Sequence, residues 1–468
     1  MTALTDNAVG IRRRRWALTG LAIIVLAAAS LEGFVLPALP RLQRDFGVDA
    51  AIGALASVVP TVITVIVTPL AGRLADVHGA GRTLAGLLAI VITGGLTSAF
   101  APDFALFIVG QALQGFALGI IPVGFVVLRH LFRPESIKTA SGVLVAMSVA
   151  GAGLGVLTAG PIIEATSRAV LYAVPTAVVA LGGIVFFAAR PGLQRRDPDA
   201  PTGVDWLGAG VFAVALVVLV VALGSSSSAG WLAPGTLALF AAAVGLIAVW
   251  VWIENRVAQP MIDVSSLRSR SVGGAVAVGV AIGAGYAPIV FLLPQLVSQP
   301  AETGYGLGAS ASEIGLFLAV AYGAGVVSSV VAGRVAQRLG LRLVGVLAMA
   351  TLGIGAVTTV FSPAVGFLIV SLFLAGIGAA AASTVVYASA AIGADAHEVG
   401  VSTALITIAR AVGGALATQI VASIITSAAP TFGVFQLAFA VTAVLALGGA
   451  GIALWLLPRD RVGAQLVH

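Results

Sequence analysis

The chain has 468 residues, 59% of them hydrophobic and only 9% charged, against roughly 25% charged in soluble domains. A formal net charge of +6, no cysteine and four scattered histidines (His78, His130, His397 and His468) exclude a disulfide framework, a thiolate metal site and any metal centre built on histidine spacing. No G-x-x-x-x-G-K-[ST] run is present, so no nucleotide-binding loop is expected to drive this protein, and no enzyme, cofactor or nucleic-acid reading finds support.

Apolar stretches of about 20 residues, enough to cross a bilayer, recur along almost the whole length. In chain order the predicted spans are 17–37, 50–71, 83–101, 104–128, 139–161, 169–189, 204–224, 232–253, 272–297, 312–333, 341–361, 364–390, 399–425 and 434–457. The first follows the arginines at 12–15 and could be mistaken for a secretory signal. Its apolar run continues to Pro37, which is long enough to span, so it is expected to stay.

The charges test the span count. With the loops numbered alternately by side, 20 of the 24 Lys and Arg fall on one side, three (Arg41, Arg44 and Arg168) on the other, and Arg410 lies inside a span. The positive-inside rule then makes the Arg-rich side, with both termini, cytoplasmic. One lysine against 23 arginines, with abundant Ala and Gly, suggests a bacterial source and hence the cytoplasmic (inner) membrane.

Between spans 2 and 3 stands Gly72-Arg73-Leu74-Ala75-Asp76-Val77-His78-Gly79-Ala80-Gly81-Arg82, and a weaker copy, Gly333 to Arg342, follows span 10. Both begin Ala-Gly-Arg and carry a second Gly seven positions on. A turn used twice on the same side predicts two related halves, as transporters are built. The expected organisation is an all-α polytopic protein: a six-helix bundle at 1–189, a Pro- and charge-rich linker at 190–203, an inserted helix pair at 204–253, a second linker at 254–271 and a six-helix bundle at 272–468. The Ser225–Ser228 run is expected to form a turn. The 58 glycines are expected to let helices approach closely in lipid, where association gains nothing from the hydrophobic effect. The Gly151-Ala152-Gly153-Leu154-Gly155 run in span 5 is the densest case.

Several segments resemble the major facilitator superfamily, and its fourteen-span drug:proton antiporter branch in particular. Gly72, Leu74, Ala75, Asp76 and Gly79 match the family's G-x-L-A-D-R-x-G-R-K turn. Leu31-Glu32-Gly33-Phe34-Val35-Leu36-Pro37 is similar to the branch's first-span L-D-x-T-I-V-N motif, with Glu32 at the acidic position. Gly142, Gly151 and Gly155 repeat the spacing of the antiporter motif in span 5, with Val156 in place of its proline and Pro161 displaced five residues on. Arg410-Ala411-Val412-Gly413-Gly414 resembles R-x-x-G-G in span 13, while span 4 has Gln111 where the family usually has arginine.

The resemblance implies a secondary transporter working by alternating access. The expected activity is proton-coupled efflux of lipophilic or cationic drug-like compounds by a monomer that also contacts membrane lipids. Export or flipping of a native lipid or metabolite, and a non-transporting membrane sensor, are the alternatives. Glu32 is the one carboxylate well inside a span, and a carboxylate withdrawn from water can cycle between protonated and charged forms; Glu32 and Arg410 are the candidates for proton coupling. By resemblance Gly72, Asp76, Gly79 and Arg82 form a cytoplasmic gate, and Gly142, Gly151, Gly155 and Pro161 belong to the antiporter-type helix. Phe34, Gln111, Gln114, Tyr286, Gln295, Tyr322 and Tyr387 are the candidate substrate-cavity residues. Pro288 and Pro294 are expected to bend span 9.

Overall fold

A computed structural model describes residues 2–131, 134–189, 205–257, 269–393, 399–427 and 431–457. The linkers expected at 190–203 and over most of 254–271 lie outside them. Among the described residues there are sixteen α-helices and no strand.

Each expected span falls on a helix. The first is α1 (Thr2–Phe46). The second divides into a short α2 (Ala50–Gly53) and α3 (Leu55–His78). Asp49 opens α2 by accepting from the Ile52 N–H at 2.8 Å, which satisfies one of the donors a helix start leaves unpaired. α4 (Ala80–Phe100) follows. The fourth span is built of α5 (Phe104–Gln114), a 3₁₀ turn over Gly115–Gly119, and α6 (Ile120–Leu131). Gly115 sits against the Pro60 carbonyl and Ile63, and its own carbonyl accepts from Thr64 Oγ1 at 2.9 Å. Then come α7 (Pro134–Ala165), α8 (Arg168–Ala188), α9 (Trp206–Ala229), α10 (Pro234–Glu254), α11 (Arg270–Val297), α12 (Ala311–Leu339), α13 (Leu341–Phe361), α14 (Val365–Gly393), α15 (Val399–Thr426) and α16 (Phe432–Leu456). Thirteen of the described spans are long and apolar enough to cross a bilayer, and α7 contributes the apolar segment Ala150–Ala165. Large apolar side chains such as Ile184, Val244, Leu316 and Val444 lie exposed, the surface a bilayer covers.

The expected turn at Ser225–Ser228 is corrected: α9 continues to Ala229, and the chain turns at Gly230, whose φ is +93°. Ser226 donates to the Leu223 carbonyl at 2.7 Å, and Ser225 shares a 3.0 Å hydrogen bond with Thr236 of α10. Hydroxyls satisfied by helix backbone and by a neighbouring helix let the α-helix run on.

The helices cluster into two compact units, Met1–Ala38 with Val59–Gly210 and Leu39–Val58 with Val211–His468. The first is centred on α4, packed on α5 and α8. Glycines form its seams: a Cβ on Gly94 would meet the Gln114 N at 2.9 Å, and one on Gly20 would meet the Phe186 Cα at 2.8 Å. Phe34, Phe107 and Tyr172 meet edge-on, with centroids 6.5 and 5.7 Å apart around Tyr172.

In the second unit α11 packs on α15 and α16, and α13 on α14 and α16, while α12 leans on α14. Glycine seams recur there, with Gly413 against Val280, Gly376 against Ala321 and Gly378 against Leu352. This unit also holds the last residues of α1, all of α2 and the start of α3. Two amides tie those residues down. Gln295 of α11 donates to Gln43 Oε1 at 2.9 Å, and Gln419 of α15 donates to the Ala51 carbonyl at 3.1 Å.

Candidate transport site

The first unit presents Glu32. From Gly20 to Pro40 it is the only exposed residue of α1, flanked by a helix otherwise buried or half-buried. The packing that isolates it comes from the next residue. Gly33 lies so close to α7 that a Cβ there would meet the Val156 N at 2.9 Å and the Gly155 Cα at 3.1 Å, and Gly155 and Gly151 press on the Ser30 and Leu26 carbonyls. The α1–α7 seam therefore runs along one flank of α1 while Glu32 points off it. Among the described residues its carboxylate has no hydrogen-bond or ion-pair partner; the ion pair described is Arg41–Asp45 at 3.0 Å. A carboxylate part-way along an apolar helix is here held in place by backbone packing.

The second unit presents Arg410. Its Nη1 donates to the Tyr387 hydroxyl at 3.4 Å, and that hydroxyl shares a 3.1 Å hydrogen bond with Thr407. Tyr286 is half-buried on α11. The buried Nε has no hydrogen-bond partner. α11 and α15 pack tightly at the arginine: Gly283 lies directly on the Arg410 carbonyl, and a Cβ on Gly414 would meet Ala287 at 3.1 Å. Of the sequence-expected residues, Tyr387 of α14 and Arg410 of α15 thus come together. Tyr322 is half-buried on α12.

Four expected cavity residues pack within the protein. Phe34 is buried against Tyr172. Gln111 and Gln114 are buried, and both donate to Ser98 Oγ of α4, at 3.1 and 2.8 Å. Gln295 is buried on Gln43. An amide in an apolar span is costly unless paired, and each of the three glutamines has a hydrogen-bond partner within the protein.

At the first Gly-Arg turn, Gly79 opens α4 with φ +91° and ψ 135°, and its carbonyl accepts from Thr83 Oγ1 at 3.2 Å. Gly340 opens α13 with φ +87° and ψ 154°. Gly72 is half-buried and Arg82 exposed, whereas the side chain of Asp76 lies outside the described residues. In α7, Pro161 is an exposed interior proline, and the surroundings of Gly142 lie outside the described residues. Pro288 and Pro294 both fall inside α11. Asp205 caps α9 by accepting from the Gly208 N–H at 2.8 Å.

Sequence reasoning missed Gln43, Ser98, Thr407 and Gln419. Gln419 carried a signal, a lone amide nine residues beyond Arg410 in the same apolar span. The partners could not be read, because they lie on other helices.

The sequence profile of the Major Facilitator Superfamily matches residues 21–299 and again 274–467. The chain belongs to the major facilitator superfamily. It is a multi-pass membrane transporter by family, not an enzyme. It is 27% identical to the uridine/deoxyuridine transporter of Lactococcus lactis subsp. cremoris, over 75% of each chain. It is 25% identical to the multidrug resistance protein Stp of Mycobacterium tuberculosis, over 87% of this chain and 74% of that one. Identity to the puromycin resistance protein pur8 of Streptomyces alboniger is 28%, over 90% and 83%. In fold it resembles the crystal structure of the peptide transporter POT in complex with sulfate, with a TM-score of 0.69 at 16% identity and 94% of each chain covered.

Proposed function

We propose that this transporter exports lipophilic, cationic drug-like compounds in exchange for protons, by alternating access of its two helical bundles. The observation that carries the reading is Glu32, the single exposed residue in the Gly20–Pro40 stretch of α1, with no hydrogen-bond or ion-pair partner among the described residues. A charged carboxylate inside a membrane span is costly, so gaining or losing its proton changes what the site binds. Drug-resistance relatives such as Stp and pur8 support the substrate class. Arg410, which donates to the Tyr387 hydroxyl, is the second coupling group: a fixed guanidinium in a span tunes the protonation of whatever approaches it.

The remaining assignments follow the same reading. Gly72, Asp76, Gly79 and Arg82 act as a gate; Gly142, Gly151, Gly155 and Pro161 give α7 its antiporter-type packing. The bundles are 1–189 and 272–468, with 204–253 inserted between them. The protein works as a monomer in a bacterial inner membrane, with both termini cytoplasmic.

The test uses purified protein in proteoliposomes loaded with a cationic fluorescent dye. An imposed proton gradient should drive dye movement in the wild type, and Glu32→Gln should abolish gradient-driven movement while folding normally. Full gradient-driven transport by the Gln variant overturns the assignment of Glu32.

A second reading has one observation in its favour, the uridine/deoxyuridine transporter among the relatives. The same liposomes separate the two: uridine uptake without dye movement favours nucleoside transport.

A further inference from the structure

In the second unit α12, α13 and α14 leave a groove of about 540 Å³ between them, within the range of drug-sized ligand sites, about 300–1,000 Å³. Its wall is made by Ala324, Val327 and Val331 of α12, Leu347 of α13, and Phe373 and Ile377 of α14. Four of these stand open to the outside, Val327 at 66% and Leu347 at 51%, with Phe373 and Val331 close behind. The groove's hydroxyls are spent on the protein: Ser328 donates to the Ile377 carbonyl at 2.9 Å and Thr351 to the Leu347 carbonyl at 2.8 Å. Nothing polar is left in the wall to recognise a polar ligand. The groove therefore suits an alkyl chain, and it opens on the face that a bilayer covers.

What lies beyond its end identifies the rest of the occupant. Val327, Val331, Arg334 and Arg338 stand at i, i+4, i+7 and i+11 on α12, a single stripe of one helix face. At ~1.5 Å per residue, the two arginines lie about 4.5 and 10.5 Å past Val331, just before the α12–α13 turn at Gly340. Both are exposed, and among the described residues neither has a hydrogen-bond or ion-pair partner. Arg342, by contrast, is engaged with the Leu457 carbonyl at 2.8 Å. An apolar groove in the bilayer, continued by two unengaged cations at the membrane edge, has the layout of an acyl chain joined to a phosphate.

We infer that this face is a binding site for an anionic phospholipid, with an acyl chain in the α12–α13–α14 groove and the headgroup phosphate on Arg334 and Arg338. The arginine asymmetry places this turn on the cytoplasmic side, where anionic lipids concentrate and basic pockets between helices bind them. The site is independent of the drug and proton reading, since it involves neither Glu32 nor Arg410. Its consequence is that the second bundle carries a resident lipid whose supply depends on membrane composition.

The experiment is lipid retention by the full chain, purified in mild detergent from equimolar phosphatidylglycerol and phosphatidylcholine and read by mass spectrometry of the intact complex. The wild type should retain phosphatidylglycerol over phosphatidylcholine by tenfold or more, from about fivefold per arginine near a membrane surface. Arg334→Gln with Arg338→Gln should remove the preference, and the paired Lys substitutions should keep most of it. Val327→Trp, at an exposed wall position where a larger side chain fits without repacking, should lower retention of both lipids. Equal retention of the two lipids by the wild type overturns the inference, as does an undiminished preference in the double Gln variant. A Val327→Trp protein that loses transport while retaining phosphatidylglycerol normally shows a substrate path instead, and overturns it too.

Discussion

Gln295 donates to Gln43 Oε1 at 2.9 Å across 252 residues of sequence, and both side chains are buried. The contact joins the end of α1 opposite the Arg13–Arg15 cluster to α11. Residues 39–58, which group with the second unit, are tied there by this bond and by Gln419 on the Ala51 carbonyl. Removing one amide strands the other in an apolar setting, a loss of about 1–3 kcal/mol, whereas replacing both by apolar groups of similar shape is nearly neutral. Gln43→Leu and Gln295→Leu should each lower the thermal midpoint in detergent, and the double variant should recover most of it. Additive losses would show that the two amides do not act as a pair.

Gly155 and Gly153 lie two residues apart on α7, yet their surroundings differ. A Cβ on Gly155 would run into the Ser30 carbonyl and stand 3.0 Å from the Gly33 Cα, while one on Gly153 would meet nothing within 4 Å. Gly155→Ala should push α1 and α7 apart, at a cost of about 1–3 kcal/mol for overpacking. It should also displace Glu32 and slow gradient-driven transport. Gly153→Ala should be neutral in both, which thermal unfolding and dye transport would check side by side.

The two turns invite a matched pair of substitutions. Gly79 and Gly340 hold φ of +91° and +87° with extended ψ, a region that side chains with a Cβ avoid at a cost of about 1–3 kcal/mol. Gly79→Ala and Gly340→Ala should therefore destabilise to a similar degree, whereas Gly86→Ala, with open space around it, should not. Unequal losses would argue that the turns differ in strain despite their common backbone.

Ser98 accepts from both Gln111 and Gln114. Ser98→Ala removes the acceptor that the two buried amides share, leaving Gln114 its 3.5 Å contact to the Gly94 carbonyl, a loss of about 1–3 kcal/mol. The expected result is a marked fall in thermal stability with an unchanged ranking of transported substrates. A changed ranking at full stability would return the two glutamines to the substrate path.

Arg410 leans on Tyr387 through a single 3.4 Å contact. Tyr387→Phe should therefore cost about 0.5–1.5 kcal/mol or less and slow transport only several-fold. Arg410→Met should stop gradient-driven transport in a folded protein, and Arg410→Lys should retain part of it. Wild-type rates in Arg410→Met would remove the arginine from the coupling scheme.

Much of the architecture was legible beforehand. Thirteen of the fourteen expected spans are helices long and apolar enough to cross, with α7 adding a shorter apolar segment; they were readable because a bilayer-crossing helix must be about 20 residues long and nearly uncharged, a requirement local enough to see in a window. The α3–α4 and α12–α13 turns were readable because only glycine suits their backbone, so Gly79 and Gly340 recur. Glu32 and Arg410 were readable because a charge in a span is costly and therefore rare. The fate of the neutral polar residues was not readable. Gln111, Gln114, Gln295, Tyr286 and Tyr387 look alike in sequence, each a polar side chain in an apolar run. The structure sends the glutamines to Ser98 and Gln43, and Tyr387 to Arg410.

The sequence by itself determined the class of protein, where the apolar helices run, the repeated turn and the two charges that a membrane would not otherwise tolerate, because each follows from the local cost of placing a residue type in hydrocarbon. Only the tertiary structure decided which polar groups are spent on neighbours, which flank of α1 is packed and which leaves Glu32 open, and where α12, α13 and α14 fail to close. Those depend on how near two distant backbones come, a distance set at Gly33, Gly155 and Gly283 by glycines whose partners lie more than a hundred residues away.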